Sequence, residues 1–199
     1  GDMGNAQTWP FPVRYKIVRG ASPEVVVLQG AEGTLGAFIE AGRELVAEGC
    51  RVITTNCGFL AKFQAELSAA LGVPVATSAL MQAAAIQAIL PPGRRVGILT
   101  ISAATLTETH LQAAGVPEGT PVAGVADGCE FQRAILGNAL TLDVNQAEAD
   151  LAAAARAFQA AYPELGAILL ECTNMPPYKK AIAEATGLPV FSIETYVKW

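Results

Sequence analysis

Two cysteines far apart in the chain, Cys57 and Cys172, each stand where an apolar run ends and a helical stretch begins. A thiol just before a helix faces unpaired N–H groups and the positive end of the dipole. Its pKa is therefore expected to fall toward neutrality, where it can accept or deliver a proton. Cys50, at the start of a strand, and Cys129, in the turn Asp127-Gly128-Cys129, do not share that setting.

The two positions correspond. An offset of 115 residues, the difference between positions 57 and 172, lays Gly72-Val73-Pro74-Val75 on Gly187-Leu188-Pro189-Val190 without a gap. Phe63, Leu67 and Ala70 fall on Tyr178, Ile182 and Ala185, one apolar stripe at helical spacing, and Ile53 falls on Ile168. Glycine after a helix and proline before a strand are common punctuation. Punctuation alone gives no reason for the cysteines to coincide. Halves related by a rough twofold bring the thiols to a cleft from opposite sides. Opposed bases suit removal of a proton from one face of a carbon acid and its return to the other.

The elements that must position these thiols alternate. After a loop over 1–22, strands are expected near 25–29, 51–55, 74–76, 96–100, 121–125, 167–171 and 189–193. Helices are expected over 34–48, 59–71, 80–90, 105–114, 130–140, 146–162 and 177–186. This order predicts an α/β fold of two pseudo-symmetric lobes, each a parallel four-stranded sheet flanked by helices. The lobes are residues 1–93, carrying Cys57, and 94–199, carrying Cys172, with the last residues returning toward the first lobe. The counterpart of strand 96–100 would precede residue 1, so the first strand of lobe 1 is expected to be missing from this chain. Residues 196–199 read as the opening turn of an unfinished helix, and the polypeptide is expected to extend at both ends. Ligands of parallel sheets bind beyond the carboxyl ends of the strands, which adds Thr100 and Ser102 to the candidate site.

Composition narrows the function. The 199 residues are 52% hydrophobic and 16% charged, with net charge -5 and no basic cluster, which argues against nucleic acid as a partner. The uncharged stretch 67–93 is broken by Gly72, Pro74, Pro91 and Pro92 and fits a buried strand and an Ala-rich helix better than a membrane span. The four cysteines include no CxxC pair and no zinc spacing, so no metal is expected, and reduced thiols place the chain in the cytoplasm. His110 is the single histidine and no GxSxG is present, against a Ser-His-Asp mechanism; it is expected to be solvent-facing or locally paired. Gly30, Gly33 and Gly36 lack dinucleotide spacing, and Arg14 in the aromatic N-terminal loop is a candidate carboxylate clamp.

Thr54-Thr55-Asn56-Cys57-Gly58-Phe59 and Leu170-Glu171-Cys172-Thr173-Asn174-Met175-Pro176 resemble the two cysteine motifs of the aspartate/glutamate racemase superfamily, which includes hydantoin racemases and has arylmalonate decarboxylase and maleate isomerase as relatives. The resemblance implies two α/β lobes with a cleft between them, no cofactor, a homodimer, and one catalytic cysteine from each lobe. On this resemblance Cys57 and Cys172 are the acid/bases. Asn56, Gly58, Thr173 and Asn174 bind the substrate carboxylate or developing enolate in the manner of an oxyanion hole. Amino-acid racemases often carry Cys-Asn-Thr where this chain has Cys57-Gly58-Phe59, and glutamate racemases carry histidine where it has Asn174. These departures leave the substrate open. Decarboxylase relatives keep one of the two cysteines, so retention of both implies an isomerase: a cofactor-independent racemase or epimerase acting on a small carboxylate or a hydantoin-like cyclic amide. The alternatives are a cis–trans isomerase or decarboxylase on the same fold, or a non-catalytic small-molecule-binding protein.

Overall fold

A computed structural model describes residues 2–198, and its elements follow the alternation of apolar runs and amphipathic stretches. The first half holds α1 (Leu35–Ala47), β1 (Ile53–Thr54), a 3-10 segment (Gly58–Phe63) running into α2 (Gln64–Leu71), β2 (Val75–Ala76), and a second 3-10 turn (Ala79–Gln82) running into α3 (Ala83–Ile89). The second half holds β3 (Arg95–Thr100), α4 (Glu108–Ala113), β4 (Val122–Gly124), α5 (Glu130–Leu136), α6 (Val144–Ala161) and β5 (Leu165–Leu170). It continues with a 3-10 turn (Pro176–Tyr178), α7 (Lys179–Thr186), β6 (Val190–Phe191) and α8 (Ile193–Val197). All strand pairs are parallel, in a two-stranded sheet β1-β2 and a four-stranded sheet of order β4-β3-β5-β6. The α/β class with parallel sheets flanked by helices is therefore what the chain adopts.

The expected strand at 25–29 is corrected. Glu24–Leu28 is one turn of π-helix, entered through Pro23 at φ -54 and ψ -38, with the Val25 N–H donating to Ser22 Oγ at 3.3 Å. Proline presets helical φ and Ser22 caps the turn, so local geometry overrides the strand preference of three valines. The first half consequently shows two strands among the described residues, not three. The closing turn expected at 196–199 is α8, which begins earlier, at Ile193; Trp199 and Gly1 lie outside the described residues.

The internal repeat is written in the hydrogen bonds. Ile53 pairs with Val75 and Ile168 with Val190, both shifted by the 115-residue offset, and so are the partners Thr54–Ala76 and Leu169–Phe191. α2 and α7 keep the same offset at both ends and close on Gly72 (φ 66) and Gly187 (φ 70). A positive φ favours glycine because it has no Cβ to clash with the backbone. Nothing lies within 4 Å of a Cβ added at either position, so only backbone strain opposes a side chain there. Gly72→Ala and Gly187→Ala should each cost about 1–2 kcal/mol in urea unfolding, and by matching amounts.

β3 and β5 are the buried centre of the larger sheet, with Val96, Ile98, Leu99, Ile168, Leu169 and Leu170 fully enclosed. α6 lays Ala147, Leu151, Ala155 and Phe158 against it at helical spacing, after Asp143 caps the N–H groups of Asn145 and Gln146. The uncharged 67–93 stretch folds as the end of α2, β2, a 3-10 turn and α3. Among the described residues no helix is long and apolar enough to cross a membrane.

Candidate active site

β1 leads through Thr55 and Asn56 to Cys57, and β5 leads through Glu171 to Cys172. Each strand end is held by its neighbour. The Thr55 hydroxyl lies 2.5 Å from the Thr77 carbonyl beyond β2, and the Glu171 N–H donates to Leu99 O at 2.9 Å, extending the β3–β5 ladder. The turn after each cysteine is the same, with Leu60 N donating to Cys57 O and Met175 N to Cys172 O, both at 3.1 Å.

The strand ends meet around a cavity of about 310 Å³ lined by both cysteines and by Asn56, Gly58, Phe59, Glu171, Thr173 and Asn174. Thr173 Oγ1 donates to Asn56 O at 3.0 Å and ties the two halves together at the cavity wall. Val26 and Val27 of the π-helical turn close one side, and Ile135, Leu136 and Asn138 at the end of α5 close another. A larger groove of about 690 Å³ runs between the N-terminal loop and β1, but neither Cys57 nor Cys172 lines it.

Electrostatics correct the expectation of acidic thiols. Burial, and after it the Glu171 carboxylate, push the Cys57 thiol far above its usual range, against one backbone N–H from Phe59. Cys172 is pushed up to about 12 by the same two causes, opposed by the backbone N–H groups of Asn174 and Met175 and by the Asn174 amide, whose Nδ2 sits 3.9 Å from Sγ. The helix-dipole contribution is weak because a 3-10 segment of six residues follows Cys57 and a 3-10 turn precedes α7. Desolvation and a buried carboxylate dominate.

Thr100 and Ser102 do not line the cavity. The Thr100 hydroxyl is fully buried behind it, donating to Glu171 Oε2 at 2.7 Å, and the Ser102 backbone N–H turns back to Thr100 Oγ1 at 3.5 Å. The strand-end rule gives the right end of the sheet, but neither residue is brought to the cavity wall, and the Thr100 hydroxyl turns to Glu171. Arg14 lies outside the cavity, exposed and paired with Glu48 at 3.2 Å. His110 is locally paired as expected, through Nδ1 to Thr107, but it is buried against Phe59 rather than solvent-facing.

Glu171 is the site residue that sequence reasoning passed over. Its signal was present as a charged residue ending an otherwise apolar strand, directly before a cysteine. The structure buries it completely, and burial pushes its carboxyl up to about 7 against the hydrogen bond from Thr100.

No protein-family model matches the chain. Seven curated relatives do, and all are named dimethylsulfoniopropionate lyases. One from Durusdinium sp. clade D is 28% identical over 204 residues, covering 96% of this chain and 65% of the relative. Dimethylsulfoniopropionate lyase 3 of Emiliania huxleyi is 31% identical over 208 residues, covering 96% of this chain and 52% of the relative. The chain thus spans between about half and two thirds of these two relatives. Among solved structures, Picrophilus torridus aspartate racemase superposes with a TM-score of 0.61 at 15% identity, covering 97% of this chain and 78% of that one. Arylmalonate decarboxylase superposes with a TM-score of 0.58 at 19% identity, covering 85% and 75%. The racemase or epimerase activity expected from the cysteine pair, and with it the assignment as an isomerase, is corrected by the sequence relatives, which carry the name of a lyase across nearly the whole chain. The cis–trans isomerase, decarboxylase and non-catalytic alternatives find no support among those relatives.

Proposed function

From the aspartate/glutamate racemase superfamily fold that this chain carries, we propose that it is a lyase that cleaves dimethylsulfoniopropionate by β-elimination. The observation that carries the reading is the single activity named by relatives matching 96% of the chain. The cavity supplies what that chemistry requires. In dimethylsulfoniopropionate the carbon beside the carboxylate bears the proton to be removed, and the next carbon bears a cationic sulfur. A base takes the proton, the C–H electron pair forms the carbon–carbon double bond, and the C–S pair departs with sulfur. Acrylate and neutral dimethyl sulfide result, with the proton left on the base.

Cys172 is the base. Three N–H donors oppose the rise of its pKa, against one for Cys57, so its thiolate is the better stabilised of the two. Cys57 keeps its proton and, with Asn56 and the backbone N–H of Gly58, hydrogen-bonds the substrate carboxylate as charge builds on it. No lysine or arginine is among the described residues that line the cavity, whereas Glu171 is. A wall with one carboxyl group and no fixed cation suits a substrate that brings its own positive charge. Free cysteines throughout suit a reducing compartment such as the cytoplasm.

Incubation of the purified chain with dimethylsulfoniopropionate should release dimethyl sulfide into the headspace and acrylate into solution in equal amounts, measured by gas chromatography and proton NMR. A folded chain that releases neither above the enzyme-free rate would rule the reading out.

A further inference from the structure

β5 is followed by a carboxyl group to which the elimination scheme gives no part in moving the proton. Glu171 is fully buried, and its Oε2 accepts from Thr100 Oγ1 at 2.7 Å. Oε1 is enclosed with no hydrogen-bond partner among the described residues. Burying a carboxyl with one oxygen unpaired is costly, and such a group calls for an explanation. Oε1 fills the space beside the Cα of Gly58, where a Cβ would stand 2.1 Å away. Gly58 follows Cys57 and Glu171 precedes Cys172, all four residues line the same cavity, and the Glu171 charge pushes both thiols up.

We propose that Glu171 is a positioning residue that shares one negative charge with the two thiols, taking up a proton as a thiol gives one up, and so decides how much thiolate the cavity holds. The exchange balances: an S–H bond breaks, an O–H bond forms, and the charge moves from carboxylate to sulfur. Oε1, which has no hydrogen-bond partner among the described residues, is the oxygen left to take that proton. A carboxyl pushed up to about 7 can hold it near neutral pH, and both thiols are pushed up in part by the Glu171 charge.

Among the described residues no other charge acts on this trio. Glu171 closes β5, whose own residues carry no charge, and Arg95 of β3 is held at the opposite end of its strand by the Gly119 carbonyl. On the Gly58–Phe63 segment, Lys62 binds the Gly30 carbonyl, and His110 of α4 behind it is held by Thr107. Glu24 of the π-helical turn is exposed, and Glu130 and Arg133 of α5 pair with each other at 2.7 Å. The Ala79–Gln82 turn brings no ionisable group.

The proposal rests on the thiols being the reacting groups, and its test uses no substrate. Iodoacetamide alkylation of each cysteine, followed against pH by peptide mass spectrometry, reads the ionisation of Cys57 and Cys172, with Cys50 and Cys129 as internal controls. Glu171→Gln keeps the shape and removes both the charge and the proton acceptor. The alkylation midpoint of Cys172 should fall by about one pH unit or more, with the controls unmoved, and Glu171→Asp should leave it near the parent value. An unchanged midpoint in folded Glu171→Gln would overturn the proposal. If that variant does not fold, Glu171→Met decides: it removes the same charge with an apolar side chain of similar length and should move the midpoint the same way, and no movement is equally fatal. A shifted midpoint without dimethyl sulfide release would sink the lyase reading alone, and an unshifted midpoint with release intact would sink this proposal alone.

Discussion

Serine in place of Cys172 should lower kcat/KM for dimethylsulfoniopropionate by about three orders of magnitude, while serine in place of Cys57 should cost no more than about tenfold. The asymmetry follows from the leaving group. A sulfonium departs as a neutral sulfide and needs no proton, so elimination asks for one base and no opposed acid. Cys172 is the thiol with the three opposing donors, and the Asn174 amide 3.9 Å from Sγ would remain to bind a serine hydroxyl. A hydroxyl is a far weaker acid than a thiol, however, and hardly ionises beside Glu171. In the proposed elimination Cys57 contributes one hydrogen bond to the substrate carboxylate, and the loss of one such bond sets the tenfold bound. With Cys172 as the proposed base, active as the thiolate and pushed up to about 12, log kcat/KM of the parent chain should keep climbing as pH rises through neutrality into the alkaline range. Steady-state kinetics on the two variants checks this directly, and equal losses at both positions would overturn a single-base elimination.

The fold was legible where two signals agreed. The repeat read from Cys57, Gly72 and Pro74 against Cys172, Gly187 and Pro189 reappears as identical ladder partners and identical helix ends, because backbone punctuation and apolar spacing both fix register. It was illegible where local and tertiary preferences oppose each other, as in the valines of Glu24–Leu28. Side-chain placement at the cavity was legible for the residues flanking each cysteine, which have little freedom to face elsewhere. For Thr100 the strand end alone was not enough, because the carboxyl that claims its hydroxyl is Glu171, just past β5 and 71 residues away. The direction of the thiol pKa shifts was hidden for the same reason: nothing in the spacing of two cysteines announces that burial and Glu171 outweigh a helix end. Of the proposed reaction only proton removal from a carbon acid was legible, a step that elimination shares with racemisation. What separates the two is the group on the neighbouring carbon, and that belongs to the substrate.

Alanine in place of Gly58 should abolish most of the activity, about 10²-fold or more, and destabilise the chain by about 1–3 kcal/mol. The φ of Gly58 does not require glycine; the approach of β5 does. A Cβ at 58 would lie 2.1 Å from Glu171 Oε1, 2.9 Å from its Cδ and 2.6 Å from its backbone oxygen. The carboxyl could swing away only by giving up the Thr100 hydroxyl, and the backbone oxygen belongs to a main chain held on one side by the Glu171 N–H bonded to Leu99 and on the other by the turn in which Met175 N bonds Cys172 O. The segment carrying Cys57 must therefore retreat from the strand end carrying Cys172, and a displacement of about 1 Å between groups that must act on one small substrate is enough for a loss of that size. Gly97→Ala separates stability from alignment. Its Cβ would meet Leu165 Cδ2 at 2.5 Å and Phe158 Cζ at 2.7 Å, an overpacking of comparable cost. Neither partner lines the cavity, so kcat should hold while urea resistance falls. If Gly58→Ala and Gly97→Ala lose activity in step with stability, Gly58 is merely a packing position; a loss of kcat at Gly58 beyond its loss of stability marks it as the spacer between the two cysteines.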